Sequence, residues 1–399
     1  MSELDEKMNL ESLPIDVLFL IFKELNYKDL INISKVNKGL NKLATDNLLW
    51  KMKLEHDMSK WKIISSKNFP IQIFSENSRI LNNEICYKNL YLNCCPDVIQ
   101  EIEILKKLKT YKLAADASNN EQKIGAEAQA MNPLSTAKNL LSNLRDYIYS
   151  NIFPVNLPMS GEFSRLMNIE NENLPKIIMF GPGLETTTSC LVTNLLWKSE
   201  FKTIGMIPGK DGYGSGIKLK LFNHAPFNLT VLYTNVSKLR HNRESNFEKN
   251  KLFVKKKHEN VDDEDKNELY EINPQVKDAC TNAKGYIYVI DNVALHEIVK
   301  NENLNEILEN YKQELLTLMR ECNDKLLPFL ILSCSTENMN KDVNPIKTHN
   351  NGLSCAKIIE TFSLYKLKHE WQIRNCQIFE NKMKDIILGF DWLLNKIEI

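Results

Sequence analysis

KIIMFGPGLETTTSCLVTNLLW, residues 176–197, decides the fold of the larger part of the chain. Ile177–Phe180 is an unbroken apolar run of strand length. Gly181-Pro182-Gly183 is a turn, and Leu191, Leu195, Leu196 and Trp197 recur at helical spacing. Downstream the same texture repeats. Strands are expected at 217–222, 228–236, 286–290 and 328–333, with a short one within 371–379. Helices are expected at 275–283, 301–322, 354–365 and from about 381 to the end, the last carrying Ile387, Phe390, Leu394 and Ile397. Strands alternating with helices predict an α/β domain over 176–399 with a mostly parallel sheet and crossover helices. The strands 217–222 and 228–236 are close enough to form an antiparallel hairpin.

Upstream lies a block of a different kind, LPIDVLFLIFKELNYKDLINISKVNKGLNKLATDNLLWKMKL, residues 13–54. Leu13-Pro14 opens a helix, proline being tolerated where the first turn needs no N–H. Val17, Leu18, Ile21, Phe22 and Leu25 form one apolar stripe. Asn26-Tyr27 breaks the run, and Asp29 suits the first turn of a second helix. Leu30, Ile33 and Val36 come next, Gly39 interrupts, and Leu40, Leu43 and Leu48-Leu49-Trp50 close the block. Helices this short are marginal alone and must pack together. Such a cluster has more apolar surface than it can bury itself.

The order Leu-Pro, Ile-Phe, Leu, Asp-Leu, Val, Leu-Trp resembles the F-box. The resemblance implies docking on the Skp adaptor of a cullin–RING ubiquitin ligase through Leu13, Pro14, Val17, Ile21, Leu25, Leu30 and Val36, with Trp50 packing the cluster. The remainder of the chain would recruit a substrate.

The domain plan is therefore a polar lead at 1–11, an F-box at 12–55, a helical linker region at 56–175, and the α/β domain at 176–399. Within the linker region, 55–112 reads as further helix and 114–135 as a small, polar, mobile stretch. Lys+Arg and Asp+Glu are both 51, which argues against a chain built to bind nucleic acid. No stretch approaches the roughly 18 apolar residues of a membrane helix, and the acidic start MSELDEKMNLES lacks a signal-peptide core. The nine cysteines show no C-x-x-C spacing, so neither a zinc site nor a cofactor is indicated, and a reducing, cytosolic or nuclear compartment fits. Residues 238–268 are highly charged and read as a solvated loop with a helix in its first half.

The turn at 181–188 occupies the place of a phosphate loop, whose active pattern is G-x-x-x-x-G-K-[ST]. Here it reads GPGLETTT. Gly181 and Thr188 fit the ends, but Thr186 replaces the second glycine and Thr187 the lysine. The backbone therefore approaches a phosphate less closely and the main compensating charge is missing. A GTPase also needs Asp-x-x-Gly after the next long strand and Asn-Lys-x-Asp after 328–332. Thr234 and Ser237, and Ser333-Cys334-Ser335-Thr336, stand there instead. Asp291 reads as a helix N-cap.

Together with the F-box, the segments Met179–Glu185, Asp211–Gly216, Gly285–Val289, Leu332–Cys334 and Gly389–Leu394 resemble the F-box only protein 4 family. That resemblance implies a Ras-like, nucleotide-free domain used as a substrate-binding surface. It also implies a non-catalytic receptor of an SCF ligase, with D-type cyclins and a telomere-repeat-binding protein as family substrates. The family's dimerisation segment precedes its F-box, and residues 1–11 leave little room for one. For substrate capture, Gly212, Gly214 and Gly216 lead into a strand carrying Lys218 and Lys220, which is expected at the sheet edge and open to a partner strand. The alternatives are an F-box fused to a working GTPase and an F-box scaffold outside any ligase.

Overall fold

The computed structural model describes residues 13–71, 85–103, 105, 174–207, 216–235, 250–255, 270–321, 326–336, 352–378 and 383–397. The polar lead, the stretch 114–135, and Gly212 and Gly214 lie outside these residues, as does most of the charged stretch.

The N-terminal block folds as four helices, α1 (Ile15–Glu24), α2 (Tyr27–Ile33), α3 (Lys38–Ala44) and α4 (Asn47–Met58). Each of the three breaks between them holds a polar residue that caps the next helix. The Asn26, Asn37 and Asp46 side chains accept from the N–H groups of Asp29, Leu40 and Leu48, satisfying donors that a helix start leaves open. Gly39 does not interrupt as expected: it lies inside α3, and the break falls just before it at Asn37. Trp50 is fully buried, donates its indole N–H to the Ala44 carbonyl at 2.8 Å, and meets Tyr91 edge-on at 5.3 Å between centroids.

Tyr91 belongs to a fifth helix, α5 (Tyr87–Cys94), which completes this core from beyond the expected F-box boundary. Asn47 fixes it at both ends of one amide, donating to the Ile85 carbonyl and accepting from Tyr87 N–H. Cys94 and Cys95 are buried at its end, two small apolar residues as their pattern suggests.

Residues 55–112 are not helical throughout. β1 (Ile63–Ser65) and a 3-10 turn at Ser66–Asn68 intervene. Ile64 and Phe69 are buried in the core of the α/β domain, which is what draws this segment into an extended strap.

Besides β1, the main sheet contains β2 (Lys176–Phe180), β3 (Phe201–Ile207), β4 (Gly216–Leu221), β5 (Phe227–Val231), β8 (Ala283–Asp291), β9 (Phe329–Ser335) and β10 (Trp371–Gln377). These eight strands lie in the order β1-β10-β9-β8-β2-β5-β4-β3. The strands β10, β9, β8, β2 and β5 are mutually parallel, and β4, β3 and β1 add antiparallel margins. The expected 217–222/228–236 hairpin is present as β4–β5.

Strand side chains alternate between two cores. Ile178, Phe180, Tyr286, Tyr288, Phe329 and Ile331 face one side, while Ile177, Met179, Ile287, Val289, Leu330 and Leu332 face the other. The second core is covered by α6 (Cys190–Trp197) and the final helix α11 (Lys384–Ile397). The first is covered by α7 (Pro274–Cys280), α8 (Asn292–Lys300), α9 (Asn305–Glu321) and α10 (Cys355–Thr361). This is the α/β architecture that the alternating texture predicts, with a mostly parallel, mixed sheet.

Two expectations need correction. Part of the charged stretch is a strand: β6 (Phe253–Lys255) pairs with β7 (Tyr270–Ile272), anchored by buried Leu252 and Phe253. And β4, which carries Gly216, Lys218 and Lys220, is not an edge. It is hydrogen-bonded to β5 on one side and β3 on the other, so its main chain is already used. The edge is β3, where Met206 is 71% exposed.

Candidate functional site

Two places carry chemistry: the outer face of the N-terminal helices, and the crevice at the carboxyl ends of β2 and β8.

On α1 the apolar stripe splits. Leu18 and Phe22 point into the cluster, whereas Val17, Leu20 and Ile21 are exposed on the opposite side. Ile15, Val36 and Leu48 are exposed too, at 67%, 66% and 58%. Six exposed apolar side chains within residues 15–48 exceed what a solvated helical cluster carries by chance. Pro14 is exposed, and Leu13 and Leu25 are half-buried and packed against the cluster core. Leu30 departs from expectation: it is completely buried, because the short α2 has one inward position and Leu30 fills it. It lies behind the exposed apolar side chains and is not one of them. Ile15 and Leu20 were not singled out from the sequence, and Leu48 was read only as closing the block, since periodicity marks apolar positions without saying which side of the helix the core takes.

Behind this face the polar groups are paired. Lys53, 6% exposed, lies 3.1 Å from Asp57, and Asp57 also accepts from the Tyr91 hydroxyl at 2.7 Å. Burial alone would raise the Asp57 pKa, but the hydrogen bonds from Tyr91, Lys53 and His56 together hold it below the usual range.

The crevice is set by topology. From β2 the chain passes to β5 on one side and later to β8 on the other, so the sheet order reverses at β2. Open α/β sheets bind ligands outside the strand ends at such a point. Here the loop after β2 folds in on itself. Gly181 has φ of 115°, and a Cβ there would lie 2.5 Å from the Val289 carbonyl. Pro182–Leu184 form a 3-10 turn. The N–H groups of Leu184, Glu185, Ser189 and Leu191 donate to the carbonyls of Gly181, Pro182, Thr186 and Thr188.

Three of the threonines at the positions compared with nucleotide motifs bond to neighbouring groups, while the Thr186 hydroxyl is buried without a partner among the described residues. The Thr187 hydroxyl, at the lysine position, donates to Asp291 at 2.5 Å. The Thr188 hydroxyl donates to the Gly183 carbonyl at 2.6 Å. Thr234 donates to Glu185 at 2.5 Å, and Asn235 N–H donates to the same carboxylate at 3.1 Å. Asp291 caps α8 through the N–H groups of Val293 and Ala294, as its position after the strand suggests. Its second role, toward Thr187, has no sequence signal. At the guanine position Cys334 faces a core, and the Ser335 hydroxyl donates to the Cys376 carbonyl. The expected loop residues Gly181, Thr186, Thr187 and Thr188 therefore do come together. Lys218 and Lys220 lie on β4, away from this loop.

Known proteins divide along the same line. An F-box-like family model matches residues 10–54. F-box only protein 4 of Homo sapiens is 24% identical over 407 residues, covering 99% of this chain and 86% of that protein. The Mus musculus protein of the same name is 23% identical over 401 residues with the same coverage. F-box only protein 3 of Homo sapiens is 32% identical over 102 residues, 26% of this chain and 18% of that protein. Among solved structures, the "crystal structure of SsGBP and GDP complex" covers 94% of this chain and 87% of that chain at 12% identity. Its TM-score of 0.26 is too low to bear on the fold.

Proposed function

We propose that this chain, an F-box protein similar along nearly its whole length to F-box only protein 4, is the substrate-recognition subunit of an SCF ubiquitin ligase. The observation that carries this reading is the apolar face of Val17, Leu20, Ile21 and Val36 on a cluster whose polar groups are internally satisfied. Such a face needs a partner, and the Skp adaptor is the partner an F-box takes. The chain contributes no chemistry of its own to ubiquitin transfer. It supplies position and effective concentration.

The α/β domain acts without nucleotide. The N–H groups of Leu184, Glu185 and Ser189 are donated to loop carbonyls, and the lysine position holds a hydroxyl bonded to Asp291. Glu185, 1% exposed, adds a buried carboxylate to the loop. An incoming phosphate would meet a carboxylate and no lysine. The domain instead presents a surface to a protein substrate, and β3, the margin of the sheet, is the strand that we assign to capture. D-type cyclins and a telomere-repeat-binding protein are the first substrates to try, carried over from the family resemblance. The setting is cytosolic or nuclear. No helix among the described residues is long and apolar enough to cross a membrane.

The test is a pull-down with the Skp adaptor and then a reconstituted ubiquitination assay. Leu13→Ala with Pro14→Ala, and separately Ile21→Glu, are expected to abolish adaptor binding. Retention of binding by both would sink the docking assignment. Micromolar GTP binding by calorimetry would overturn the nucleotide-free reading.

A further inference from the structure

The strap that leads out of the F-box helices and the loop before β10 enclose an open groove of about 350 Å³. Its base is Trp371, 1% exposed, and Phe69, 8% exposed, with ring centroids 5.8 Å apart. The Tyr365 ring stacks on Phe69 at 6.3 Å, and Ile71, 48% exposed, forms an apolar lip. This is the size and wall chemistry of a site for a side chain or a small ligand.

The rim carries more positive than negative charge. Glu370 is bridged by Lys67 at 3.3 Å and Lys396 at 2.7 Å. Lys368 is exposed and has no carboxylate within ion-pair distance among the described residues. Three lysines therefore face one carboxylate. Burial lowers the His369 pKa, so the lysines carry the positive charge near neutral pH.

We propose that this groove binds an acidic peptide segment, seating one apolar side chain against Phe69 and Tyr365 and placing its carboxylates against Lys67 and Lys368. Charge complementarity selects the acidic flank, and the aromatic walls select the apolar anchor. The groove opens to one side, which suits one side chain of a passing chain better than an engulfed metabolite. The site is distinct from the docking face and from the β3 margin. Its use by the ligase rests on the receptor reading, but the binding itself does not.

The experiment is a fluorescence-anisotropy titration of the full chain with three labelled decapeptides. One carries a single leucine between aspartate pairs, one has lysines in place of the aspartates, and one has serine in place of the leucine. The acidic leucine peptide is expected to bind at least about tenfold more tightly than either control. Lys368→Glu, a change at an exposed position, is expected to weaken it by about tenfold, and added salt to weaken it further. Tyr365→Ser should weaken it while the thermal melt stays near that of wild type, which shows that the α/β fold has survived. Equal binding of the lysine peptide, no effect of Lys368→Glu, or no binding of the acidic peptide would each overturn the proposal. Failure of adaptor binding with peptide binding intact would count against the receptor reading and not against the groove.

Discussion

Ile21 and Leu30 sit nine positions apart and have opposite fates, one 37% exposed on α1, the other fully buried in α2. Both are aliphatic residues on amphipathic helices, and the difference arises from packing. α1 is long enough to have an outer face, whereas α2 spends its single inward position on Leu30. Ile21→Glu should therefore leave the melting temperature nearly unchanged, since exposed positions tolerate substitution within about 0.5 kcal/mol, yet abolish adaptor binding. Leu30→Ala should cost about 2–5 kcal/mol and lose binding only because the cluster loosens. Thermal melts beside pull-downs separate the two outcomes. A normal melt for Leu30→Ala, with adaptor binding lost, would return that residue to the docking face.

At the scale of elements, the loop after β2 is tied to the residues around it. Thr187 is bonded to Asp291 and Thr234 to Glu185, so two of the departing positions are held by neighbouring carboxylates. Restoring Thr186→Gly and Thr187→Lys together should accordingly fail to create GTP binding, because the buried Glu185 carboxylate stays in the loop and Asp291 stands ready to pair with the new lysine. Calorimetry checks this. The erosion was legible in GPGLETTT, but the mutual bonding was not, since it joins residues about 50 and 100 positions apart. The parallel core was legible from IIMF, YIYVI and FLIL, whose apolar runs demand burial on both faces. β3 was missed because FKTIGMI is a mixed, half-exposed margin strand with a glycine and no clean period. That omission also placed the edge wrongly at β4. The clasp at Glu370 joins the strap, the loop before β10 and α11. Burial would raise its pKa, but hydrogen bonds from Lys396 and Lys67 outweigh this and hold it below its ordinary 4.5. A carboxyl with a depressed folded pKa stabilises above the unfolded value and loses that contribution as pH falls through the folded one. Glu370→Gln should thus be less stable than wild type above its ordinary 4.5, and the gap should narrow progressively as the pH of the melts falls below that value.

For the whole molecule, the question is whether a docking face at one end can set the position of a substrate at the other. Residues 61–71 answer it, because they belong to both halves. Trp61 packs against the F-box core and against the core of the α/β domain, with its ring 6.1 Å from Tyr91. One residue on, the Lys62 carbonyl accepts from Asn375 N–H at 2.9 Å, and β1 then pairs with β10. The Ser66 hydroxyl accepts from Trp371 N–H at 3.0 Å. The strap is thus a strand of the domain it leads to, and under the proposed receptor role a chain built this way transmits position instead of merely tethering two parts. Effective concentration at a target lysine falls when such a splint becomes a flexible linker. Trp61→Ala removes a shared, half-buried ring and should cost less than the ~3–5 kcal/mol of a fully buried tryptophan. Adaptor binding and substrate binding, measured separately, should stay near wild type, while the rate of ubiquitin transfer in the reconstituted ligase should fall severalfold. Scanning calorimetry of the same variant should split one cooperative transition into two. An undivided transition and an unchanged transfer rate would show that the two halves are held together elsewhere.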